Sequence, residues 1–220
     1  MIKYLTLTGA LYVSILVSAQ VQVRDEPRHH NVFENEFVRI LDVHLGPKDT
    51  TLYHLHNTPS VFIIFTNTNV GSQLKGGQPQ KGANINDTVS YDSLSTPRIH
   101  RVWNEDTSWF HVMDVELTSK LEKGNTPVLQ DPSLQLLFNE QQVNGYSAEL
   151  KPGKILQLPA SAAGYLVVSI GETVIDYRVN SKRQHRIMKA AHYIWVEAGN
   201  SFSMEPKESK PAKFIILQLK

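Results

Sequence analysis

The chain has 220 residues with 22 Lys plus Arg against 21 Asp plus Glu, 41% hydrophobic residues and no Cys. This describes one or two compact domains and excludes disordered, fibrous and membrane-spanning classes. Near-neutral charge gives no basic field for a phosphate backbone, so nucleic acid is not an expected partner, and the missing Cys excludes disulfides, thiolate metal sites and cysteine nucleophiles.

The first element is a leader. Residues 1–19 carry Lys3, an apolar run from Tyr4 to Val17, and the small pair Ser18 and Ala19. That order reads as a secretory signal cleaved after Ala19. The run is broken by Thr6, Thr8, Gly9 and Ser14 and falls short of the ~20 apolar residues of a spanning helix, so no membrane span is expected after cleavage. A periplasmic or secreted location follows, and the mature chain, having lost Lys3, is formally neutral.

Beyond the leader, short runs rich in Val, Ile, Phe and Tyr recur. They are Phe37 to Leu45, Leu52 to His56, Val61 to Thr66, Ile99 to Trp103, Trp109 to Leu117, Tyr165 to Ile170, Thr173 to Val179, His192 to Glu197 and Phe214 to Leu219. Gly46-Pro47, Gly76-Gly77, Gly124-Asn125 and Pro152-Gly153 punctuate them, as expected of an all-β sandwich or barrel. Residues 68–86 have no apolar period and read as a long loop or ragged hairpin. Asp131-Pro132 opens one short helix expected over Ser133 to Gln142.

The chain also repeats itself. Leu45-Gly46-Pro47 laid over Leu150-Lys151-Pro152 carries Val61 to Phe65 onto Leu166 to Ile170 at an offset of 105, and Val112 to Leu117 fall on Phe214 to Leu219 at an offset of 102. Two β units are implied, 20–125 and 126–220, parted where Gly, Asn, Pro and Asp cluster.

Chemistry concentrates in the first unit. His54 and His56 lie one residue apart in a strand, so both rings leave on one face, and His100 opens another strand. Three neutral imidazoles suit a divalent transition metal such as Fe, Ni, Cu, Mn or Zn rather than Ca or Mg.

The spacing His54-x-His56 after Gly46-Pro47, followed by His100-Arg101-Val102-Trp103-Asn104, resembles the two motifs of the cupin superfamily. The resemblance covers residues 32–118 and, more weakly, 145–220, where Val196-Glu197-Ala198-Gly199 is similar to the turn before a second-motif His. It implies a secreted bicupin: two antiparallel cupin-type β-barrels of the jelly-roll class in tandem, with a metal held inside the first by His54, His56 and His100. The family's Glu ligand falls at about Ser60 or Val61, and Pro97 alone stands for the Pro and Gly of the second motif. A three-His site with open positions is therefore implied, as in oxygen-using cupins, with Fe first among the metals. The offsets place Pro159, Ser161 and Phe202 over the three His, leaving the second barrel for packing, pocket closure or homodimer formation.

Other residues carry open readings. If Asp114 and Glu116 mark a wet face, then Trp109, His111, Met113 and Val115 point inward, and His111 is either a pocket group or a hydrogen-bonded interior His. Asn104 orients a ligand or closes a turn. Arg39, His44 and Tyr53 contact an anionic or sugar substrate or lie on the surface. His29-His30 reads as another metal pair or, lying in a flexible arm near the mature N-terminus, as a solvated segment, the favoured reading. Two function classes stay open: a metal-dependent enzyme, of which a three-His dioxygenase is the leading form, acting on a small molecule, or a non-catalytic module that binds a small molecule or metal. A purely structural dimer is the third reading.

Overall fold

A computed structural model describes residues 21–119 and 126–220; the leader expected over 1–19 lies outside the described residues. The chain is built of antiparallel sheets, with one 3-10 turn at Val23–Asp25. Among the described residues no helix is long and apolar enough to cross a membrane.

The first half forms two five-stranded sheets. Its strands in chain order are β1 (Val21–Gln22), β2 (His29–Glu34), β3 (Val38–Leu45), β4 (His54–His56), β5 (Ser60–Ile64), β6 (Thr68–Leu74), β7 (Gln80–Asn84), β8 (Val89–Asp92), β9 (Arg98–Asn104) and β10 (Phe110–Leu117). One sheet runs β1-β4-β9-β6-β7 and the other β2-β3-β10-β5-β8; the short β1 is parallel to β4. The second half supplies β11 (Leu134–Asn139), β12 (Val143–Leu150), β13 (Leu156–Leu158), β14 (Tyr165–Ser169), β15 (Thr173–Val179), β16 (Lys182–Met188), β17 (Tyr193–Val196), β18 (Phe202–Pro206) and β19 (Ala212–Leu219). These form sheets β11-β12-β19-β14-β17 and β13-β18-β15-β16.

The repeat is visible in the topology. β5 lies beside β10 as β14 lies beside β19, and β3 beside β10 as β12 beside β19. The match fails at β4, and with it at the paired strand, where Met204 rather than Phe202 stands opposite Leu156 as His100 stands opposite His54. Eight residues separate β3 from β4 but five separate β12 from β13, so β13 takes the place of β4 and brings Leu156 and Leu158 there rather than Pro159 and Ser161.

One further expectation is corrected, and one is resolved in favour of the hairpin. Ser133 to Gln142 is no helix: Leu134–Asn139 pairs with β12 over a bulge between Leu136 and Phe138. Asp131 instead accepts from the Ser133 amide in a turn, and pairing to a partner strand overrides the local cap signal. Residues 68–86 form a hairpin, β6 on β7, although their exposed face lacks apolar period.

Each barrel has its own interior, and a third core joins them. Strand period 2 sends Leu41, Val43, Leu45, Phe110 and Val112 into the first barrel, and Val38, Ile40, Met113, Val115 and Leu117 out of its back face. Those outward residues pack on Val143, Leu166, Val168, Ile215, Leu217 and Leu219 from the back of β12, β14 and β19. Sheets β2-β3-β10-β5-β8 and β11-β12-β19-β14-β17 are thus buried on both faces. Accordingly β10 and β19 are buried along nearly their whole length. The two interiors differ: seventeen buried residues, among them Leu156, Leu158, Phe202 and Met204, fill the second, whereas seven line the first and leave room for a cavity.

Candidate metal centre

His54 and His56 stand two residues apart on β4, and His54 pairs in register with His100 on the neighbouring β9. A same-face pair plus a cross-strand neighbour brings three rings to one spot. Ring centroids are 5.0 Å apart for His54 and His56, 4.7 Å for His54 and His100, and 4.9 Å for His56 and His100. Each ring offers one nitrogen within 4.8 Å of the others.

The rings are held as neutral ligands. The His54 Nδ1 lies 2.9 Å from the Leu52 carbonyl, which only accepts, so Nδ1 carries the proton and Nε2 keeps its lone pair. Burial, reinforced by neighbouring His charges, lowers the pKa of His54 to about 4 and that of His100 to about 3. Burial and the charge of His100 push His56 lower still. The His100 Nε2 is buried with no hydrogen-bond partner, a costly state for a ring nitrogen that ligation would relieve, and the His56 Nδ1, likewise without a hydrogen bond, is turned towards a buried carboxyl. The set therefore fits a divalent transition metal with imidazole ligands.

Asp114 is the residue sequence reasoning misplaced. Instead of marking a wet face, it lies 1% exposed inside the first barrel, its Oδ2 3.7 Å from the His56 Nδ1. Neither oxygen has a well-formed hydrogen bond. Burial, with Glu116 nearby, pushes the carboxyl up to about 8, against a weaker pull from Ser60 and Arg98. It comes from β10, beside the β5 strand that begins at Ser60, where the resemblance put the family's Glu. Glu116 is also buried, paired with Arg39 at 2.6 Å. Because both faces of β10 are buried, its polarity pattern does not tell inside from outside.

A second buried acid supports the triad from below. Glu26, 1% exposed, accepts from the Arg28 amide at 2.7 Å, the Leu52 amide at 3.1 Å and the His29 Nδ1 at 2.9 Å. His29 is not in a flexible arm: it begins β2, is buried, and its ring centroid is 4.8 Å from that of His54. Glu26 holds the segment before β4 in place, and no local motif announces it.

The triad opens on a cavity of about 810 Å³. Val43, Leu45, Phe62, Ile64, Phe110 and Val112 form an apolar wall, while Gln80, Asn84 and the Arg98–Asp92 ion pair add polar groups. Tyr53, His111 and Asn104 do not line it. Tyr53 alternates to the far face of β4, where its hydroxyl donates to Gln73 at 2.8 Å and Arg101 lies 5.1 Å over its ring. His111 faces out of the back of β10 and bonds Asp42. Asn104 closes a turn: its amide donates to the carbonyls of Leu45, Gly46 and Ser108, and its Oδ1 accepts from the Asp106 amide. Trp109 is exposed and Arg39 is tied to Glu34 and Glu116.

No family model and no curated protein matches the sequence. Solved structures do. A cupin 2 conserved barrel domain protein from Leptotrichia buccalis is 12% identical with a TM-score of 0.55, over 87% of this chain and 88% of that one. The chain has the cupin fold. Two more likenesses cover both barrels: AerE from Microcystis aeruginosa, 8% identical with a TM-score of 0.60 over 89% of this chain and 98% of that one, and a salicylate 1,2-dioxygenase from Pseudoaminobacter salicylatoxidans. The latter, an adduct with gentisate, is 10% identical with a TM-score of 0.60 over 84% of this chain and 70% of that one. Within this cupin fold, no comparable His cluster lies in the second barrel among the described residues.

Proposed function

We propose that the chain is a secreted bicupin enzyme in which His54, His56 and His100 hold a divalent transition metal, Fe(II) first among the candidates, and act on a small organic substrate with dioxygen. The carrying observation is the buried triangle of neutral imidazoles in the wall of an 810 Å³ cavity. A bound metal of this kind activates dioxygen or polarises a carbonyl or hydroxyl oxygen. The chain's own residues do the rest. Leu52 fixes the tautomer of His54 and Asp114 faces the second nitrogen of His56. The wall of Val43, Phe62, Ile64 and Phe110 excludes water and fits the apolar part of a substrate. The likeness to a salicylate 1,2-dioxygenase supports this class by analogy of fold alone.

The second barrel, with its filled interior, serves packing or homodimer formation in this reading, and the leader over 1–19 carries the chain to the periplasm or outside. The rival reading is a non-catalytic binding module. Its support is the lack of a free ionised carboxylate in the cavity wall, since Asp92 is paired with Arg98 and Asp114 is held protonated.

Elemental analysis of protein purified without an affinity tag, followed by dioxygen uptake with a panel of small hydroxylated aromatic and enol acids, separates the two. Bound iron with substrate-dependent uptake supports the enzyme. Metal with thermal shifts but no uptake selects the binding module, and no metal under any loading condition sinks the site.

A further inference from the structure

The back face of the first barrel carries a second set of metal-ligating side chains that the cavity does not use. Asp42 and His44 share the outer face of β3, and His111 sits directly opposite His44 on β10. The arrangement has the same backbone plan as the cavity triad: donors at i and i+2 on one strand, and a third donor paired in register with one of them on the antiparallel neighbour. One ligand atom from each residue lies within 4.8 Å of the other two.

Local geometry holds the three together. The His111 Nε2 is 2.7 Å from the Asp42 Oδ1, and the His44 Nε2 is 3.0 Å from its Oδ2. The two rings stack with centroids 4.0 Å apart at 22°, and Phe65 packs on His111 with centroids 4.8 Å apart. Burial opposes charge on Asp42, but hydrogen bonds from His111 and His44 outweigh it and hold the carboxyl well below the usual range. The side chains remain reachable, with 27% of Asp42, 36% of His44 and 16% of His111 exposed. Asp42 also lines a cleft of about 500 Å³ between the barrels, with His192, Tyr193 and Arg186 on its far side.

We propose that Asp42, His44 and His111 form a second metal site at the seam between the barrels, taking a borderline divalent ion such as Zn²⁺ through two imidazole nitrogens and one carboxylate oxygen. Two imidazoles and a carboxylate are a donor set that Zn²⁺, Ni²⁺ and Cu²⁺ accept, and three protein ligands leave coordination positions for water or a ligand from the cleft. In the metal-free arrangement each Nε2–H donates to Asp42. Binding requires that each ring move its proton to Nδ1, which frees Nε2 to ligate, and that the ring nitrogens draw back from the carboxylate to a metal's donor spacing. The site shares no ligand with His54, His56 and His100, so it stands independently of the proposed function.

Calorimetric titration of the metal-stripped chain with Zn²⁺ tests this in wild type, the His54→Ala/His56→Ala double variant and Asp42→Asn, each checked for β circular dichroism. We expect two ions in wild type, one in His54→Ala/His56→Ala, and the seam ion weakened by about 100-fold or more in Asp42→Asn. His44→Gln gives a second probe of the same ion if Asp42→Asn misfolds. A folded His54→Ala/His56→Ala chain that takes no Zn²⁺, or an Asp42→Asn chain that takes two with wild-type affinity, overturns the seam site. Loss of the cavity ion alone leaves the seam ion in place, so failure of either site is distinguishable from failure of the other.

Discussion

The Asp114 carboxyl faces the His56 Nδ1 at 3.7 Å, both groups buried in the first barrel. With burial raising the acid to about 8 from an ordinary 3.8, the folded metal-free chain holds a proton there that the unfolded chain has lost. Stability should therefore fall as pH rises towards 8, at up to about 1.4 kcal/mol per pH unit. The slope is read most cleanly near pH 7.5, where the imidazoles of the unfolded chain, ordinarily titrating at 6.5, are about nine-tenths deprotonated. Denaturant melts of metal-free Asp114→Asn should lack it, and an unchanged slope would show that Asp114 is not the group.

The imidazoles act in the opposite sense at lower pH. Because the pKa of His54 is lowered to about 4 and that of His100 to about 3 from an ordinary 6.5, the unfolded chain binds protons first as pH drops. Stability should be full above pH 6.5 and decline as pH falls towards 4. The metal-free protein should thus be most stable near pH 6 to 7 as far as this cluster is concerned. Replacing His54 and His100 by Gln should flatten the acid side of the profile.

Metal loading should stabilise the fold through the triad. At free metal 100 times Kd, binding is worth about 2.7 kcal/mol, and the melting temperature should rise accordingly. His54→Ala/His56→Ala should keep the β circular dichroism and lose the part of the rise due to the cavity ion. Full iron retention by that variant would show that the metal binds elsewhere.

Glu26 should matter to both fold and site. Its removal strands the amides of Leu52 and Arg28 and the His29 ring, so Glu26→Ala should cost about 2 to 4 kcal/mol in urea denaturation. By loosening the segment that orients His54, it should also lower metal affinity by roughly 10- to 100-fold. Wild-type affinity in a destabilised variant would confine Glu26 to a structural role.

The seam core couples the barrels energetically. Leu217 is fully buried against the back of the first barrel, and Leu217→Ala should cost about 2 to 5 kcal/mol. Both barrels should melt together in a single calorimetric transition, lowered as one by the substitution. Two separated transitions would contradict a shared core.

The strands and the triad were legible because their signals are local: β-branched runs between turn residues, and His54-x-His56 on one face of a strand. The repeat located β5 against β14 because apolar strands preserve their spacing, but it missed the register at β13, where a loop is shorter. The side of β10 that faces the cavity was not legible. Alternation reports a face only when the other face is wet, and here the second barrel covers it. His29 and Glu26 were unreadable for a related reason, since their burial depends on β2 pairing with β3, a contact no local pattern encodes.

β10 carries Asp114 towards the cavity and His111 towards the seam from positions three apart, on opposite sides of one extended backbone. A slip of one residue in its pairing with β3 and β5 would turn His111 into the cavity and send Asp114 into the seam. The alignment of this strand is therefore itself part of the chemistry. The apolar contacts with the second barrel, which carries no ligand of its own, act as the lock that keeps two ionisable groups in their separate rooms.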